Sequence, residues 1–143
     1  MPHHDLAIRV YYEDTDSGGV MYHAQYLAFA ERARTEAMRA LGAPVSDLLR
    51  SHGLAFLVSE LRIAYRRPLL LDDLVTVRTA LRELGAARAR LRQSFSCKGA
   101  SSADLDVTLA CVRMSDGRPS RIPLLWRDVL GSLVSPDAEQ FPS

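Results

Sequence analysis

Residues 11–34 read YYEDTDSGGVMYHAQYLAFAERAR and contain the two features that decide the fold, a polar glycine-rich loop and the start of a long helix. Asp14 and Asp16 stand two residues apart in this loop, ahead of Gly18 and Gly19. A carboxylate beside the unpaired N–H groups of a helix N-terminus suits acyl-transfer chemistry. The N–H groups stabilise an oxyanion, while the carboxylate attacks or acts as a base.

The helix is predicted from Tyr22 to Leu41, because apolar residues recur there at spacings of three and four. The predicted packing face consists of Tyr22, Tyr26, Phe29, Ala30, Ala33, Ala37, Ala40 and Leu41. This face begins with aromatic rings and continues with alanines, so a neighbouring surface can approach it closely. Gly42 is the predicted C-cap, and Pro44 prevents the helix from continuing.

Beyond Gly53 the apolar period changes to two, which indicates strands. The predicted strands are Leu6–Tyr12, Ala55–Arg66, Leu74–Leu84, Ala87–Lys98 and Ala103–Ser115, and a short helix follows over Leu124–Leu133. In the second strand, Leu57, Leu61 and Ile63 are expected on one side. Four successive strands joined by short turns favour an antiparallel meander. The element order therefore predicts an α+β fold in which the apolar face of a sheet wraps around the helix.

The length of 143 residues predicts one domain over residues 1–143, with an ordered core at about residues 6–133 and a frayed, polar C-terminus. A net charge of +1 gives no electrostatic argument for a nucleic-acid partner. The chain has no run of about 18 apolar residues and no secretory signal pattern. We therefore expect a cytoplasmic protein without a transmembrane segment. Cys97 and Cys111 fall in strand-like runs and are predicted to be small buried thiols.

Several charged residues are assigned to the surface. Arg88, Arg90 and Arg92 alternate along one predicted strand and are expected to form a solvated face. Glu31 is expected to pair with Arg34 at i,i+3 on the helix surface, with a carboxylate that faces a pocket as the alternative. The histidines His3, His4, His23 and His52 lack metal-ligand spacing, so no metal site is expected.

Three blocks of sequence carry a resemblance to a known family. The first consists of Tyr12–Asp16, Gly18–Val20, Tyr22-His23, Tyr26 and Glu31–Arg34, the second of Tyr65–Pro68 and Asp72–Val77, and the third of Gly117–Pro123. In this order they resemble the signature of hotdog-fold acyl-CoA thioesterases. They are most similar to the 4-hydroxybenzoyl-CoA thioesterase-like branch that includes the Tol-Pal-associated thioesterases. The resemblance covers roughly residues 6–127.

The resemblance implies a hotdog fold, in which a five-stranded antiparallel sheet wraps around one long central helix. It also implies a homodimer, often paired into a homotetramer, with active sites at the dimer interface. The implied substrate is an acyl-CoA, so coenzyme A is part of the substrate and no separate cofactor is expected.

Carried over residue by residue, the family's catalytic carboxylate falls on Asp16, and Asp14 is expected to shape the turn. The backbone N–H that polarises the thioester carbonyl falls on His23 or Tyr22. A direct role for the His23 imidazole stays open. The expected substrate-binding residues in this motif are Tyr12, Gly19, Val20 and Tyr26. Arg66 and Arg67 are expected to contact the coenzyme A phosphates on chemical grounds alone, and Arg88, Arg90, Arg118 and Arg121 are the other candidates. Leu69, Leu70 and Leu71 fill a segment where relatives often carry a basic residue, so coenzyme A contacts from that segment are not expected.

Two chemical routes are open for Asp16, direct attack to form a mixed anhydride and general-base activation of water. Two alternative functions also remain, a thioesterase that takes acyl groups from acyl carrier protein and a non-catalytic hotdog module that binds acyl groups or serves as a scaffold. A hotdog dehydratase is disfavoured, because the first loop lacks the expected Asp–His pattern.

Overall fold

The computed structural model describes residues 3–133, and the expected frayed C-terminus lies outside this range. Within it, the strands are β1 (His4–Arg9), β2 (Leu54–Tyr65), β3 (Leu74–Leu84), β4 (Arg88–Cys97) and β5 (Ala100–Arg113). The helices are α1 (Gln25–Ala40), α2 (Val45–His52) and α3 (Leu124–Ser132). A single 3-10 turn over Tyr12–Asp14 follows β1, so the first strand ends at Arg9 and not at Tyr12 as predicted.

The five strands form one antiparallel sheet in the order β1-β3-β4-β5-β2. The sequence predicted a four-strand meander, which is correct for β3, β4 and β5 and wrong for β2. Strand β2 pairs with β5, because residues 66–73 carry the chain across one end of the sheet. At the start of that crossing the N–H of Arg66 donates to Ser102 O, and at its end the N–H of Val10 donates to Asp73 O. The hotdog arrangement implied by the resemblance is confirmed.

Helix α1 packs its buried face on the concave side of the sheet through Tyr26, Phe29, Ala30, Ala33 and Ala37. These residues confirm most of the predicted packing face. Tyr22 and Ala40, however, are exposed, so they were assigned wrongly to it.

The helix begins at Gln25 and not at Tyr22 as predicted, because the backbone N–H of Tyr22 donates to Asp14 O at 2.9 Å in an irregular approach. At its C-terminal end the N–H of Ala43 donates back to Met38 O. The C-cap is Leu41, and Gly42 directly follows it with a left-handed φ of 89°, so glycine ends the helix as predicted but lies one residue beyond the cap.

A β-bulge in β2 reverses the alternation of its side chains. Val58 pairs with Leu109 and Glu60 with Thr108, which leaves Ser59 as the extra residue. Leu57 therefore faces away from the side that Leu61 shares with Val58, and the prediction that Leu57 and Leu61 lie on one side is wrong. Alternation alone could not reveal this bulge, since it assumes a regular strand.

The outer face of the sheet carries charged side chains, and one of them is buried. Arg92 is only 4% exposed, and its guanidinium lies between Asp104 at 3.8 Å and Asp106 at 3.3 Å. The prediction of a solvated face is thus wrong for Arg92, whereas Arg88 and Arg90 are exposed as expected. A buried guanidinium needs acidic neighbours of this kind, because unpaired charge is costly away from water.

The two cysteines differ in burial. Cys111 is fully buried, whereas Cys97 is half-buried, so the prediction of a buried thiol is confirmed for Cys111 and wrong for Cys97. Burial raises the pKa of the Cys111 thiol, which lowers its thiolate fraction near neutral pH.

We expect Ellman's reagent to modify only Cys97 in the native protein. The check is a Cys97→Ser variant, which should react only after denaturant is added, and fast reaction of that native variant would contradict the burial of Cys111.

Candidate active site

The loop between β1 and α1 is closed by a short antiparallel bridge between Thr15 and Met21. Inside this bridge the N–H of Asp16 donates to Val20 O at 2.9 Å, and the N–H of Gly19 donates back to Asp16 O at 3.1 Å. Gly19 has a φ of 81°, which a glycine adopts without a steric cost. The local hydrogen bonds therefore hold Asp16 and Val20 at the two ends of a tight turn.

Asp16 is exposed at this turn, and Oδ1 of its carboxylate accepts the N–H of Gly18 at 2.8 Å. Within residues 3–133 the carboxylate makes no other hydrogen bond, so Oδ2 is available to a substrate or a water molecule. The bond to Gly18 is a local Asx-type contact that orients the side chain.

Asp14 has a different environment, since it is only 4% exposed. Its Oδ2 accepts the N–H of Tyr11 at 2.8 Å, and its Oδ1 accepts the amide of Gln25 at 2.8 Å. Both carboxylate oxygens are thus occupied, and the main-chain oxygen accepts the N–H of Tyr22. Asp14 ties the loop to the first residue of α1, in agreement with the expectation that it shapes the turn.

The two backbone N–H groups expected to bind the thioester carbonyl, those of Tyr22 and His23, differ in whether they are already hydrogen-bonded. The N–H of Tyr22 is already bonded to Asp14 O, as described above, whereas the N–H of His23 has no acceptor within residues 3–133. His23 precedes α1 by two residues, at the end of the helix where the macrodipole is positive. The hydroxyl of Tyr65 donates to His23 O at 2.8 Å and so anchors this peptide to the end of β2.

Aromatic side chains surround the start of the helix. The His23 imidazole is exposed and lies against the Tyr22 ring, with ring centroids 4.5 Å apart. Tyr26 is buried, with its ring edge-on to Tyr65 and tilted against Phe95. Burial raises the pKa of the Tyr26 phenol, with an opposing contribution from a backbone hydrogen bond at Leu69, so the group stays neutral.

The remaining expected substrate-binding residues lie around the same loop or beside it. Tyr12 is 82% exposed, and Gly19 and Val20 form the far side of the turn. Val20 bridges to Leu70, and the N–H of Met21 donates to Leu69 O at 2.7 Å. Residues 66–73 are therefore held against the turn that carries Asp16.

Two arginines begin this crossing. The guanidinium of Arg66 forms an ion pair, whereas that of Arg67 forms none within residues 3–133. The guanidinium of Arg66 donates to Asp104 at 2.8 Å from Nε, and its Nη2 lies 2.7 Å from the same carboxylate. Arg67 is exposed, and no carboxylate within residues 3–133 lies at ion-pair distance from its guanidinium.

A buried polar network went unnoticed in the sequence. Gln93 is fully buried, and its amide donates to Ala30 O at 2.9 Å and to the Thr79 hydroxyl at 3.0 Å. Arg34 donates to Gln93 Oε1 at 2.9 Å, and burial lowers the pKa of this guanidinium while Glu31 opposes the shift. The expected Glu31–Arg34 ion pair is not formed at contact distance. The burial of Gln93 could have been predicted from the alternation of β4, which places this residue on the core face with Leu91 and Phe95.

A cavity of 540 Å³ lies between α1, α2, α3 and the concave face of the sheet. Glu31, Arg34 and Thr79 contribute its polar wall, which agrees with the alternative expectation of a pocket-facing Glu31. The other lining is largely apolar and includes Met38, Leu49, Phe56, Val58, Leu109 and Leu130. No residue of the loop from Asp14 to His23 lines it.

Residues 3–133 hold no cluster of three or more His, Cys, Asp or Glu side chains placed to bind a metal ion. Among the described helices, none has both the length and the apolar character needed to cross a bilayer.

The fold and the arrangement of Asp16 before a helix start define a class of protein, and sequence comparison agrees with it. The family profile described as the thioesterase-like superfamily matches residues 10–133, and the chain belongs to this family. Two curated relatives are similar to it. The acyl-CoA thioesterase YbgC of Haemophilus influenzae is 42% identical over 116 residues, which are 81% of this chain and 85% of the relative. The acyl-CoA thioester hydrolase YbgC of Escherichia coli O157:H7 is 34% identical over 117 residues, which are 81% and 87% of the two chains.

A solved structure supports the same assignment. The crystal structure of a probable thioesterase from Bartonella henselae superposes with a TM-score of 0.80 at 35% identity, and the match covers 85% of this chain and 99% of the other. The family expected from the sequence is thereby confirmed.

Proposed function

We propose that the chain is an acyl-CoA thioesterase, which hydrolyses an acyl-CoA to a free acid and coenzyme A. One observation carries this proposal. Asp16 is an exposed carboxylate whose Oδ2 has no hydrogen bond within residues 3–133, and it stands seven residues ahead of His23. The N–H of His23 lies at the start of α1 and has no acceptor in the same range. The names of the curated relatives, acyl-CoA thioesterase and acyl-CoA thioester hydrolase, support the substrate class.

In the proposed reaction the thioester carbonyl oxygen accepts the N–H of His23. This donor and the positive end of the α1 dipole stabilise the negative charge that develops on the oxygen. The carboxylate of Asp16 acts in one of two ways, as the nucleophile or as a general base. Its carboxylate attacks the carbonyl carbon, expels the coenzyme A thiolate and leaves a mixed anhydride that water hydrolyses, or it removes a proton from an attacking water. Either route ends with a carboxylic acid and a thiol and draws only on the chain and water.

The division of roles between Asp16 and Asp14 follows from their hydrogen bonds. Asp14 accepts two donors, the Tyr11 N–H and the Gln25 amide, so neither of its oxygens is free to attack. Asp16 accepts one, which leaves Oδ2 available. We assign the oxyanion donor to His23 and not to Tyr22, because the Tyr22 N–H is already used within the loop. The His23 imidazole is given no step in this mechanism.

Coenzyme A is proposed to bind over the loop and the crossing segment. Tyr12, Gly19 and Val20 offer surface beside Asp16. Arg67 offers a phosphate a guanidinium that pairs with no carboxylate of residues 3–133, whereas Arg66 is held by Asp104. A phosphate binds a guanidinium well because the two groups match in charge and geometry. Such a substrate is consistent with the cytoplasmic location expected from the sequence.

The chain is also proposed to form a homodimer, or a tetramer built from dimers, through the open edge of β2. This strand has 12 residues and pairs only with β5, so its other edge is free within residues 3–133. Leu57 and Val58 on this strand are each 49% exposed. Long apolar edge strands are templates for pairing with another chain.

Leu57→Lys is expected to weaken this association, because a charge would have to be desolvated at the edge. Sedimentation velocity should show a shift from dimer toward monomer at the same protein concentration. Leu124→Lys is a matched control, since Leu124 is 73% exposed on α3, away from this edge. A wild-type protein that sediments as a monomer, or a Leu57→Lys protein that keeps the wild-type assembly, would contradict the β2 interface.

The test of the proposed function is release of free thiol from a panel of butyryl-, dodecanoyl- and benzoyl-CoA and from acylated acyl carrier protein. We expect turnover of an acyl-CoA. Turnover of only the carrier-protein substrate would favour the acyl-carrier-protein thioesterase, and no turnover of any substrate would favour the acyl-binding module.

A further inference from the structure

The start of α1 is not held by a capping side chain. Its N-cap residue is Ala24, which has no polar side-chain atom, so the main-chain groups at this end of the helix need other partners. Within residues 3–133, the hydroxyl of Tyr65 makes the only hydrogen bond from the sheet to residues 22–24, and it donates to His23 O. No other donor in that range reaches this oxygen. A single phenol therefore ties the residue of the proposed oxyanion donor to the sheet.

Two peptide groups meet at the Cα atom of His23, and the carbonyl oxygen of each is hydrogen-bonded. The peptide that carries the His23 N–H has Tyr22 O as its oxygen, which accepts the N–H of Gln25 at 2.9 Å. The next peptide has His23 O as its oxygen, which accepts the Tyr65 hydroxyl at 2.8 Å. Because both peptides are held, the direction of the His23 N–H is set before a substrate binds. An effective oxyanion donor needs such preorganisation.

Tyr65 is itself well supported. It is the last residue of β2, where its backbone pairs with Ala103 of β5, and the N–H of the next residue, Arg66, donates to Ser102 O at 2.9 Å. Its ring lies edge-on to the buried ring of Tyr26, with the ring centroids 5.0 Å apart. Desolvation raises the pKa of the Tyr65 phenol, so the hydroxyl keeps its proton and can donate it near neutral pH.

We propose that Tyr65 is a positioning residue for thioester hydrolysis, whose hydroxyl holds the backbone of His23 so that its N–H meets the thioester carbonyl oxygen. The proposal rests on the proposed thioesterase function and adds to that site a residue 42 positions away in sequence. In this role the Tyr65 hydroxyl neither contacts the carbonyl nor exchanges a proton during the reaction. It acts through geometry alone, and a misplacement of about 1 Å can cost about a hundred-fold in rate.

Two other roles for the same hydroxyl make different predictions. If its hydrogen bond contributes only to stability, its removal should lower the melting temperature and leave the kinetic constants of the folded enzyme unchanged. If the hydroxyl binds the substrate, its removal should raise KM and leave kcat unchanged, because such binding is equal in the ground state and the transition state. A positioning role should instead lower kcat.

The test is Tyr65→Phe in the full chain, since this substitution removes the hydroxyl and keeps the ring that packs against Tyr26. With an acyl-CoA that the wild type hydrolyses, kcat and kcat/KM should both fall by about tenfold to a hundred-fold. KM should stay within about twofold of the wild-type value, because the lost interaction acts mainly in the transition state. Steady-state thiol release measures both constants.

Ser132→Ala is the matched control. It removes another hydroxyl that donates to a main-chain oxygen, Val129 O at 2.6 Å, but this bond lies at the end of α3. Its kcat and KM should stay within about twofold of wild type. Each variant loses one hydrogen bond, so each melting temperature should fall by about 5 °C or less. Assays well below the melting temperature therefore compare folded proteins.

The outcomes separate this proposal from the proposed function. An unchanged kcat in Tyr65→Phe, with or without a rise in KM, would overturn the positioning role and leave the thioesterase function standing. An equal loss of kcat in Ser132→Ala would overturn it as well, because the effect would then not depend on the contact with His23. A wild-type protein that hydrolyses no acyl-CoA would refute the proposed function, and the catalytic role of Tyr65 would fall with it.

Discussion

Asp16→Asn is expected to reduce kcat for acyl-CoA hydrolysis by about a hundred-fold to ten-thousand-fold, the range for loss of a positioned base or nucleophile. The amide has nearly the shape of the carboxylate, and its oxygen can still accept the Gly18 N–H that orients Asp16. It can neither attack effectively nor take a proton from water. The melting temperature is expected to stay close to that of wild type, because Asp16 is exposed and its side chain makes no hydrogen bond or ion pair outside its own loop within residues 3–133.

The matched control for this prediction is His23→Ala, which removes the imidazole but keeps the backbone N–H. Since the proposed oxyanion donor is that N–H, His23→Ala should lose much less activity than Asp16→Asn. Steady-state thiol release and thermal denaturation of the two variants provide both comparisons. Near-normal turnover by Asp16→Asn would refute the role of Asp16, and an equally large loss in His23→Ala would assign chemistry to the imidazole.

Asp14→Ala is expected to lower the free energy of unfolding by about 3 kcal/mol, although Asp14 lies only two residues from Asp16. The substitution removes both acceptors from a buried site and leaves the Tyr11 N–H and the Gln25 amide unsatisfied. Hydrogen bonds to charged groups are worth about 1.5–3 kcal/mol each, and stranded donors add to the loss. Activity should fall as well, because the loop that presents Asp16 and His23 loses its tie to α1.

Urea denaturation of Asp14→Ala, Asp14→Asn and Asp16→Asn measures this contrast. Asn at residue 14 can accept only one of the two donors and presents its own NH₂ to the other, so its stability should lie between those of wild type and Asp14→Ala. Asp16→Asn should unfold with the wild-type midpoint. Wild-type stability of Asp14→Ala would mean that the two hydrogen bonds do not hold the loop.

The parts of the fold that depend on local pattern were predictable. The spacing of Tyr26, Phe29, Ala33 and Ala37 gave the packing face of α1, and two-residue alternation gave all five strands. Gly42 marked the end of the helix through its backbone freedom. These signals lie within a few residues of one another, so the sequence displays them directly.

The parts that depend on distant partners were not predictable from those patterns. The pairing of β2 with β5 follows from the path of residues 66–73 across the end of the sheet, and the bulge at Ser59 follows from that pairing. The burial of Arg92 likewise requires that Asp104 and Asp106 come from the neighbouring strand. In each case the deciding contact joins residues that are far apart in sequence or depends on strand register.

In the candidate site, too, the features that depend on local sequence were predictable and those that depend on contacts within the folded loop were not. The sequence indicated the carboxylate pair and a helix start, and the resemblance singled out Asp16. The occupied oxygens of Asp14 and the used N–H of Tyr22 became visible only with the geometry of the loop. The same is true of the Tyr65 hydroxyl, which reaches His23 O from the far end of β2.

The most direct test of the central proposal is a crystal structure of Asp16→Asn bound to a non-hydrolysable ketone analogue of dodecanoyl-CoA. The carbonyl oxygen of the analogue should lie about 2.7–3.1 Å from the backbone nitrogen of His23. The residue 16 side chain should be in contact with the carbonyl carbon or with a water beside it. A carbonyl bound away from His23, or one approached by a different carboxylate, would contradict the proposed active site.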